Sequence, residues 1–482
     1  MSFDSLEING KRSTELDSQD KSYKNLEIER STKKNKYFRL IAVIFITILF
    51  LCLLSFFIFF VIYTVKKNRK PHEEINPKTE HEFVYINDIH LDPLYISDSS
   101  PSNCRSSSGS GVQYPFGQYG CDSPSSTFLS MINFLPKACS NPKFVLYGGD
   151  GPAHQLGYDL NQVRNLLTWI VQNISSVYPK VPILFALGNN EYVPNYGQNN
   201  FEGDADNFKS ISTVLQPYMN DLQRSTFEKG GYYYHDFPEM NLRLVVLNSI
   251  IYNTYREIRD DPYGQFEWLR NISIDSRSKG YRLGVSLHIS PGVTYNTGSK
   301  LNQGWHEEYM QKFDQIVKEF DIQFVTAGHS HYDLIVPLYM PKGVSGGFSL
   351  SAPAISAQHR NNPGFRVMKV ADGRMTDYVQ YYADIMMNPQ KELKWEVEYK
   401  FTEAYNVENV GTASLQKVVN WVKTTGVGMW RYMEKICSLA SDNGKFYYCV
   451  LTCTTEDEIK KCMGPMNSKN LLSKYFPYEG RR

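Results

Sequence analysis

The stretch EFVYINDIH, from Glu82 to His90, places an apolar run directly before an asparagine, an aspartate and a histidine. A short run of β-branched and aromatic residues is typical of a buried strand, and the polar cluster marks the point where the strand ends. The same pattern returns in KFVLYGGD (143–150), VPILFALGNN (181–190), LRLVVLNS (242–249), YRLGVSLHIS (281–290) and IQFVTAGHSH (322–331). This recurrence predicts strands that deliver polar side chains to one edge of a sheet.

Helical segments separate these strands. YDLNQVRNLLTWIVQNI (158–174) and EEYMQKFDQIVKEF (307–320) have helical spacing of apolar residues. Strands that alternate with helices predict a layered α/β domain. Three later runs, GGFSLSAPAIS (346–356), GFRVMKV (364–370) and TDYVQYYA (376–383), follow without long helices and predict a second sheet that completes a sandwich.

Composition limits the possible partners. The 482 residues are 42% hydrophobic and 21% charged, which is enough apolar sequence for a large core. The formal net charge is +1, so no overall electrostatic bias favours a polyanionic partner. We therefore expect no sequence-specific nucleic-acid binding, and the sequence identifies no protein partner.

The segment from Leu40 to Val65 is uncharged and long enough to cross a bilayer, which takes roughly 20 helical residues. A polar tail precedes it, and the apolar run is longer than that of a cleavable signal, so we expect a signal anchor. Basic residues flank both ends and slightly favour a cytosolic N-terminus. The predicted organisation is a disordered cytosolic tail (1–39), a transmembrane anchor (40–65), a stalk (66–82), the α/β domain (83–387) and a C-terminal helical, cysteine-bearing region (388–482).

Cysteines and sequons indicate an oxidising compartment. Seven of the eight cysteines follow the predicted anchor, and the sequons at Asn173 and Asn271 are candidate glycosylation sites. The candidate disulfide cysteines are Cys104 with Cys121 in a Ser/Gly-rich loop, and Cys437, Cys449, Cys453 and Cys462 in the tail, in an undetermined pairing. The odd number leaves one thiol, assigned to Cys139. We expect a single-pass type II membrane protein whose α/β domain lies in a secretory or lysosome- or vacuole-like lumen, or outside the cell.

The polar clusters at the strand ends contain the residue types that bind divalent metals. Histidine nitrogens and carboxylate or amide oxygens from neighbouring strand ends can converge on one point. Such a set could hold two ions bridged by one carboxylate. The candidates are Asp88, His90, Asp150, Asn189, His288, His329 and His331. A single histidine at a strand end is commonly structural, but ligand types at five strand ends favour a metal site.

Five of these clusters carry a family resemblance. DIHLDPLY (88–95), GGDGPAH (148–154), GNNE (188–191), LHISPG (287–292) and GHSHYD (328–333) resemble, in this order, the signature blocks of the calcineurin-like metallophosphoesterases. The resemblance extends from about Phe83 to Cys462 and is specific to the acid sphingomyelinase-like phosphodiesterases. It implies a four-layer α/β sandwich of two β-sheets flanked by helices, with a small disulfide-containing C-terminal region.

The resemblance also implies roles for the candidate ligands. Asp88, His90 and His331 would hold one metal ion. Asn189, His288 and His329 would hold the second, and Asp150 would bridge the two. The family implies zinc, although the residue types also suit manganese or iron. The hypothesised reaction is attack on phosphorus by a hydroxide that bridges the metals. Asp333 could orient a ligand histidine, or it could be a surface charge.

Asn190 departs from the family pattern. Most relatives have a histidine there that assists the leaving oxygen, whereas an amide cannot act as a general acid. Three alternatives remain open. The enzyme could cleave phosphodiesters with His154 as the acid; it could cleave phosphoanhydrides, as the similar fungal endopolyphosphatases suggest; or it could be an inactive, metal-bound binding module.

Overall fold

The computed structural model describes residues 36, 43–57, 59–60, 79–197, 201–296, 300–338, 346–387, 392–436, 449, 451, 453 and 455–463. The chain forms two compact units, Met1–Glu74 and Ile75–Arg482. In the first unit, residues 43–57 are helical. Among the described residues, no helix is both long and apolar enough to cross a membrane. The predicted anchor continues beyond these residues, and nearly all of the predicted tail and stalk lies outside them.

The described part of the second unit contains two six-stranded sheets. Its strands are β1 (His81–Ile86), β2 (Ser99–Ser100), β3 (Asn103–Ser107), β4 (Val145–Tyr147), β5 (Ile183–Phe185), β6 (Tyr233–Phe237), β7 (Leu242–Val246), β8 (Arg282–Ser286), β9 (Val293–Asn296), β10 (Lys300–Gln303), β11 (Phe324–Ala327), β12 (Leu334–Pro337), β13 (Phe348–Ser351), β14 (Gly364–Ala371), β15 (Arg374–Ala383) and β16 (Trp395–Lys400). The first large sheet has the order β16-β15-β14-β1-β4-β5, and the second β12-β13-β11-β8-β7-β6. Strands β2 and β3 form a separate hairpin, as do β9 and β10.

Helices connect and cover the strands. They are α1 (Ser125–Ala138), α2 (Leu160–Val177), α3 (Asp204–Leu215), α4 (Asp221–Gly230), α5 (Gln265–Lys279), α6 (Glu307–Phe320), α7 (Phe401–Tyr405), α8 (Thr412–Thr424), α9 (Gly426–Met433) and α10 (Glu456–Met463). The two helices predicted from periodicity, α2 and α6, are confirmed. Helix α2 begins at a capping box. The Asp159 side chain accepts the backbone N–H of Gln162, and the Gln162 side-chain oxygen accepts the backbone N–H of Asp159.

Parallel pairing at the centre of each sheet positions the strand ends. In the first sheet, β1 pairs in parallel with β4, and β4 with β5. In the second sheet, β7, β8, β11 and β13 run parallel to one another. The carboxyl ends of parallel strands lie at one edge, so the polar residues after them collect there. The prediction of two sheets with helices is confirmed.

A stack of aromatic rings joins the two sheets. Phe144, just before β4, stacks on Phe83 of β1 with 4.3 Å between ring centroids. Its ring also stacks on Phe237 of β6, in the second sheet, at 4.4 Å. All three rings are buried, and each such burial is worth roughly 1.5–3 kcal/mol. This contact between facing sheets keeps their strand ends in a fixed relation.

The C-terminal part differs from its prediction at the start. The sequence predicts a helical region from Asn388, yet the first described element there is strand β16, which pairs with β15. In WEVEYK, the apolar residues Trp395, Val397 and Tyr399 alternate with charged residues, which is a strand pattern, although Val397 is exposed. Helices α7 to α10 follow.

Two disulfides lie among the described residues of the second unit. Cys104 pairs with Cys121, as predicted, and Cys449 pairs with Cys462. Cys139 is buried and forms no disulfide with the described cysteines, in agreement with its assignment as the remaining thiol. Cys437 lies outside the described residues. The disulfides support an oxidising compartment.

Asp333 is neither a surface charge nor a partner of a ligand histidine. Its carboxylate is buried and accepts hydrogen bonds from the Arg366 guanidinium and the Tyr399 hydroxyl. Arg366 also donates from Nε to Gln380 Oε1 at 2.9 Å. These contacts join the loop after β11 to strands β14, β15 and β16. Its sequence position, two residues after His331, suggested a role at the histidine, but its side chain faces the sheet.

Asp333→Asn should lower the free energy of unfolding by about 3–5 kcal/mol, because it leaves the buried Arg366 charge without its counter-ion. Urea unfolding measures the change. The matched control is Arg270→Gln, which breaks an exposed ion pair with Glu319 and should cost under about 1 kcal/mol. Equal effects of the two changes would contradict this account.

Candidate metal centre

The seven predicted ligands follow strands of the two sheets, and six of them, all but Asn189, come together in groups of potential ligand atoms. Asp88 and His90 follow β1, Asp150 follows β4 and Asn189 follows β5, all from the first sheet. The second sheet contributes His288 after β8, and His329 and His331 after β11. Among the residues that the structure describes, potential ligand atoms form three groups, and the atoms of each group all lie within 4.8 Å of one another: Asp88, His90 and Asp150; Asp150, His288 and His329; and His90, His154 and His331.

Asp150 lies between the histidines of the two sheets. Its Oδ2 is 3.2 Å from Nε2 of His288 and 3.5 Å from Nε2 of His90. Asp88 Oδ1 is 3.8 Å from Nε2 of both His90 and His331. Asp150 thus belongs to two of the ligand groups, which is the position that a bridging carboxylate would take.

Backbone carbonyls orient the two histidines nearest Asp150. His90 Nδ1 lies 3.1 Å from the carbonyl oxygen of Pro152, and His288 Nδ1 lies 2.8 Å from that of Gly148. A carbonyl can only accept, so each Nδ1 carries the proton and each Nε2 faces the carboxylates. This arrangement is the usual support for a metal-ligating imidazole.

The electrostatics of these groups fit a cation site. Burial lowers the pKa of His90, but Asp88 and Asp150 outweigh it and raise that pKa to about 9. Burial also lowers the pKa of His288, but the neighbouring Asp150 outweighs burial and raises that pKa to about 10. The buried carboxylates therefore require positive charge beside the imidazoles, and a divalent ion can supply it in place of protons.

The other three ligand candidates, His329, His331 and Asn189, are uncharged groups that could bind a metal ion. Burial and the neighbouring His288 lower the pKa of His329 to about 3. Burial and neighbouring imidazoles, His359 first among them, hold the pKa of His331 well below its usual value. Asn189 Oδ1 is buried without a hydrogen-bond partner among the described residues. Neutral imidazoles and an unpartnered carbonyl oxygen are suitable ligands, so the residues present fit divalent metal ions.

Five of the seven ligand candidates have left-handed backbone conformations. The φ angles are 49° at Asp88, 42° at His90, 56° at Asp150, 67° at His329 and 63° at His331. Such angles are uncommon for residues other than glycine and cost of order 1–3 kcal/mol each. Strain of this kind collects at functional sites, where surrounding contacts hold it in place.

Glu191 ties the loops after β4 and β5 together. It is fully buried and accepts the backbone N–H groups of Asp150 at 2.9 Å, Gly151 at 2.7 Å and Gly188 at 2.7 Å. The close approach requires glycine at position 188, because a Cβ there would lie 2.2 Å from Asp150 Oδ1. Glu191 stands in the GNNE block, but no role was predicted for it.

Asn190 faces Asp150 directly. Its backbone N–H donates to Asp150 Oδ1 and its side-chain Nδ2 donates to Oδ2, both at 2.8 Å. Its side-chain oxygen accepts from Asn195 Nδ2 at 3.0 Å. The amide that replaces the family histidine thus contacts the central carboxylate, which is the hydrogen-bonding role that an amide can fill.

His154 lies beside the ligand cluster. Its ring stacks on that of His90 with 4.1 Å between centroids and 16° between planes, and its side chain is 32% exposed. Nδ1 is 3.1 Å from both carboxylate oxygens of Asp122, and the His154 backbone N–H donates to Asp122 Oδ2 at 2.9 Å. Burial raises the pKa of Asp122, but the facing His154 outweighs it and lowers that pKa to about 2.

Sequence reasoning did not find several residues at the centre. Asp122 directly follows the predicted disulfide cysteine Cys121, but nothing in the sequence there marks it as the partner of His154. The Tyr196 hydroxyl lies 3.5 Å from His329 Nε2. The His359 ring stacks on that of His331 at 4.0 Å. These contacts join distant parts of the chain, and no local motif signals them.

The glycosylation candidates lie on helices and belong to none of the ligand groups. Asn173 is in α2, where its side-chain amide donates to the Trp169 carbonyl at 2.8 Å. Asn271 is exposed on α5. Glycosylation at either position stays a prediction.

Comparisons with known proteins agree with this geometry. A sequence profile described as calcineurin-like phosphoesterase matches residues 81–333, more than half of the chain. The chain therefore belongs to the calcineurin-like phosphoesterase family and is a metallophosphoesterase. A second profile, described as the acid sphingomyelin phosphodiesterase C-terminal region, matches residues 349–442.

Three similar proteins illustrate the range of relatives. The chain is 29% identical to the human protein named cyclic GMP-AMP phosphodiesterase SMPDL3A over 354 residues, covering 69% of this chain and 77% of the relative. It is 28% identical to human acid sphingomyelinase-like phosphodiesterase 3b, covering 73% and 82%. It is 27% identical to sphingomyelin phosphodiesterase A of Dictyostelium discoideum, covering 79% and 68%.

Asp150→Asn should reduce bound metal by at least one ion per chain and remove most turnover, because a neutral amide is a poor bridge between two cations. Elemental analysis of protein equilibrated with zinc measures the metal. The matched control is Asp314→Asn, a buried aspartate of α6 whose partner is Lys318. An Asp150→Asn protein that keeps full metal content and rate would contradict the assignment of Asp150.

Proposed function

We propose that this protein hydrolyses phosphodiester bonds at a centre of two divalent metal ions, with zinc as the expected metal. Asp88, His90 and His331 would hold one ion, and Asn189, His288 and His329 the other. Asp150 would be shared between them. Bound ions would polarise the phosphoryl oxygens and acidify a water molecule. The position of Asp150 between His90 and His288 supports this assignment.

The observation that carries the diesterase assignment is the pairing of His154 with Asp122. A diester with an alkyl leaving group needs a proton at the departing oxygen, and a histidine can deliver it. The Asp122 carboxylate accepts the Nδ1–H, which leaves Nε2 as the atom that can hold a proton for the substrate. The carboxylate also stabilises the charged imidazolium. His154 is partly exposed and lies against His90, so it is accessible beside the proposed metals.

The names of the relatives support the same reaction class. They include phosphodiesterases of a cyclic dinucleotide and of sphingomyelin. Both substrate types are phosphodiesters with an alcohol leaving group. We therefore propose a small-molecule or lipid phosphodiester as the substrate.

Phosphoanhydride hydrolysis is the second candidate, and Asn190 favours it. Phosphate is a weakly basic leaving group and needs little help from an acid, so an amide at this position would suffice. The retained His154–Asp122 pair is unnecessary for that reaction. An inactive binding module would not require such a pair or a complete ligand set, so it is the weakest candidate.

We also propose that the enzyme works in an oxidising lumen or outside the cell, tethered by the segment Leu40–Val65. The two disulfides support the compartment. The uncharged apolar sequence supports the tether.

A substrate panel tests the reaction class. The purified protein with zinc should cleave an activated aryl phosphodiester, and a cyclic dinucleotide or sphingomyelin, between about pH 4.5 and 7.5. ATP and long-chain polyphosphate serve as the anhydride arm. Turnover confined to the anhydrides would overturn the diesterase proposal, and absence of turnover on every substrate would favour the binding module.

His154→Gln should lower kcat by about 10²–10⁴-fold for diesters with alkyl leaving groups, and by under about tenfold for a nitrophenyl diester. The difference arises because nitrophenolate departs without a proton. His81→Gln is the matched control, since His81 lies at the amino end of β1, away from the centre. Equal losses on both substrates would argue against His154 as the acid.

A further inference from the structure

The hairpin β2–β3 and the loop after it contact the His154 segment at two points. Cys104 and Cys121 are joined by a disulfide, with 5.7 Å between their Cα atoms. Arg105 directly follows the first cysteine, and Asp122 directly follows the second. One covalent link therefore lies beside both residues that bind the His154 segment.

Arg105 binds the backbone of that segment. Its NH2 group donates to the His154 carbonyl at 2.7 Å, and its NH1 group donates to the Gln155 carbonyl at 3.1 Å. Its Nε donates to Asp92 Oδ2 at 2.8 Å, and Asp92 is buried two residues after His90. The planar guanidinium thus joins the loop after β1 to the loop that carries His154.

The backbone that Arg105 holds is strained. Gln155 has a φ of 54°, although it is exposed and is not a glycine. A conformation of this kind persists only where surrounding contacts enforce it. Asp122 supplies the other contacts, since it accepts both the His154 N–H and Nδ1, and is itself fixed by a hydrogen bond of 2.9 Å from Ser356 Oγ.

We propose that Arg105 is a positioning residue for His154, and that the Cys104–Cys121 disulfide holds Arg105 and Asp122 in place on the two sides of that histidine. Arg105 fixes the backbone, and Asp122 fixes the ring. Without Arg105, the backbone of the His154 segment would lose two hydrogen bonds, and the imidazole would be held less precisely at the departing oxygen. This inference rests on the proposed role of His154 as the acid.

The test compares leaving groups in full-length protein. Arg105→Ala should lower kcat by about 10- to 100-fold for an alkyl diester, with a change under about threefold for a nitrophenyl diester, because a small misplacement of an acid is costly only when the acid is needed. The KM and the zinc content should stay unchanged. Arg270→Ala, at an exposed arginine of α5, should alter neither rate.

A double variant separates positioning from general structural damage. If Arg105 acts through His154, the Arg105→Ala/His154→Gln protein should be no slower than His154→Gln alone. The Cys104→Ser/Cys121→Ser protein should show the same dependence on leaving group as Arg105→Ala. Arg105→Lys keeps the charge near Asp92 but loses the several N–H donors of the planar guanidinium. Its kcat for the alkyl diester should lie between those of wild type and Arg105→Ala, and it replaces the alanine variant if that variant does not fold.

The outcomes distinguish the two proposals. Losses that multiply in the double variant, or an Arg105→Ala effect that is equal for both substrates, overturn the positioning role while leaving His154 as the acid. If His154→Gln itself shows no dependence on leaving group, the proposed acid is wrong and the role of Arg105 is rejected with it.

Discussion

Two buried carboxylates, Asp88 and Asp150, at the junction of two sheets are the constraint on which the centre depends. Asp88 is 0% exposed and Asp150 is 2% exposed. A charge buried this deeply is tolerated only when opposite charge or hydrogen-bond donors surround it. The surrounding groups include imidazoles from both sheets, the Asn190 amide, and the backbone N–H groups of Asn190 and His329. The loops after β5 and β11 are thereby held against these oxygens.

The same requirement explains the strained backbone. His329 donates its N–H to Asp88 Oδ2 at 2.9 Å, and His90 donates its N–H to the Asp150 carbonyl at 3.0 Å. Both histidines have positive φ angles. The His329 N–H thereby faces the Asp88 carboxylate, whereas the His90 N–H faces the backbone carbonyl of Asp150 and its ring faces the carboxylates. The cost is offset by these bonds and by the packing of the sheets behind them, including the Phe83–Phe144–Phe237 stack. Strain and function are therefore located in the same loops because both arise from the buried charge.

Much of the sheet arrangement and of the candidate site could be predicted from the sequence, because apolar runs mark the strands and the candidate ligands follow each run directly. The seven ligand candidates and the Cys104–Cys121 pair are found from such local signals. The residues that contact them could not be predicted in this way. Glu191 acts on N–H groups some 40 residues earlier, and the interaction of Asp122 with His154 is equally non-local. Asp333 shows most clearly what local sequence cannot predict. It lies two residues after His331, which suggests a contact with that histidine, but in the fold its carboxylate binds Arg366.

The second asparagine of GNNE acquires a physical explanation from these contacts. A general acid at position 190 would have to face the departing oxygen, whereas the Asn190 amide bonds Asp150 and Asn195 and so orients the central carboxylate. In the proposed reaction, orientation of that carboxylate and delivery of the proton would be divided between two residues, Asn190 and His154. The pKa of Asp122, held near 2 by His154, keeps its carboxylate ionised even in an acidic lumen. It can therefore accept the Nδ1–H of His154 across the whole range of pH found in secretory and lysosome-like compartments, which is what a lone histidine acid in such a compartment would require.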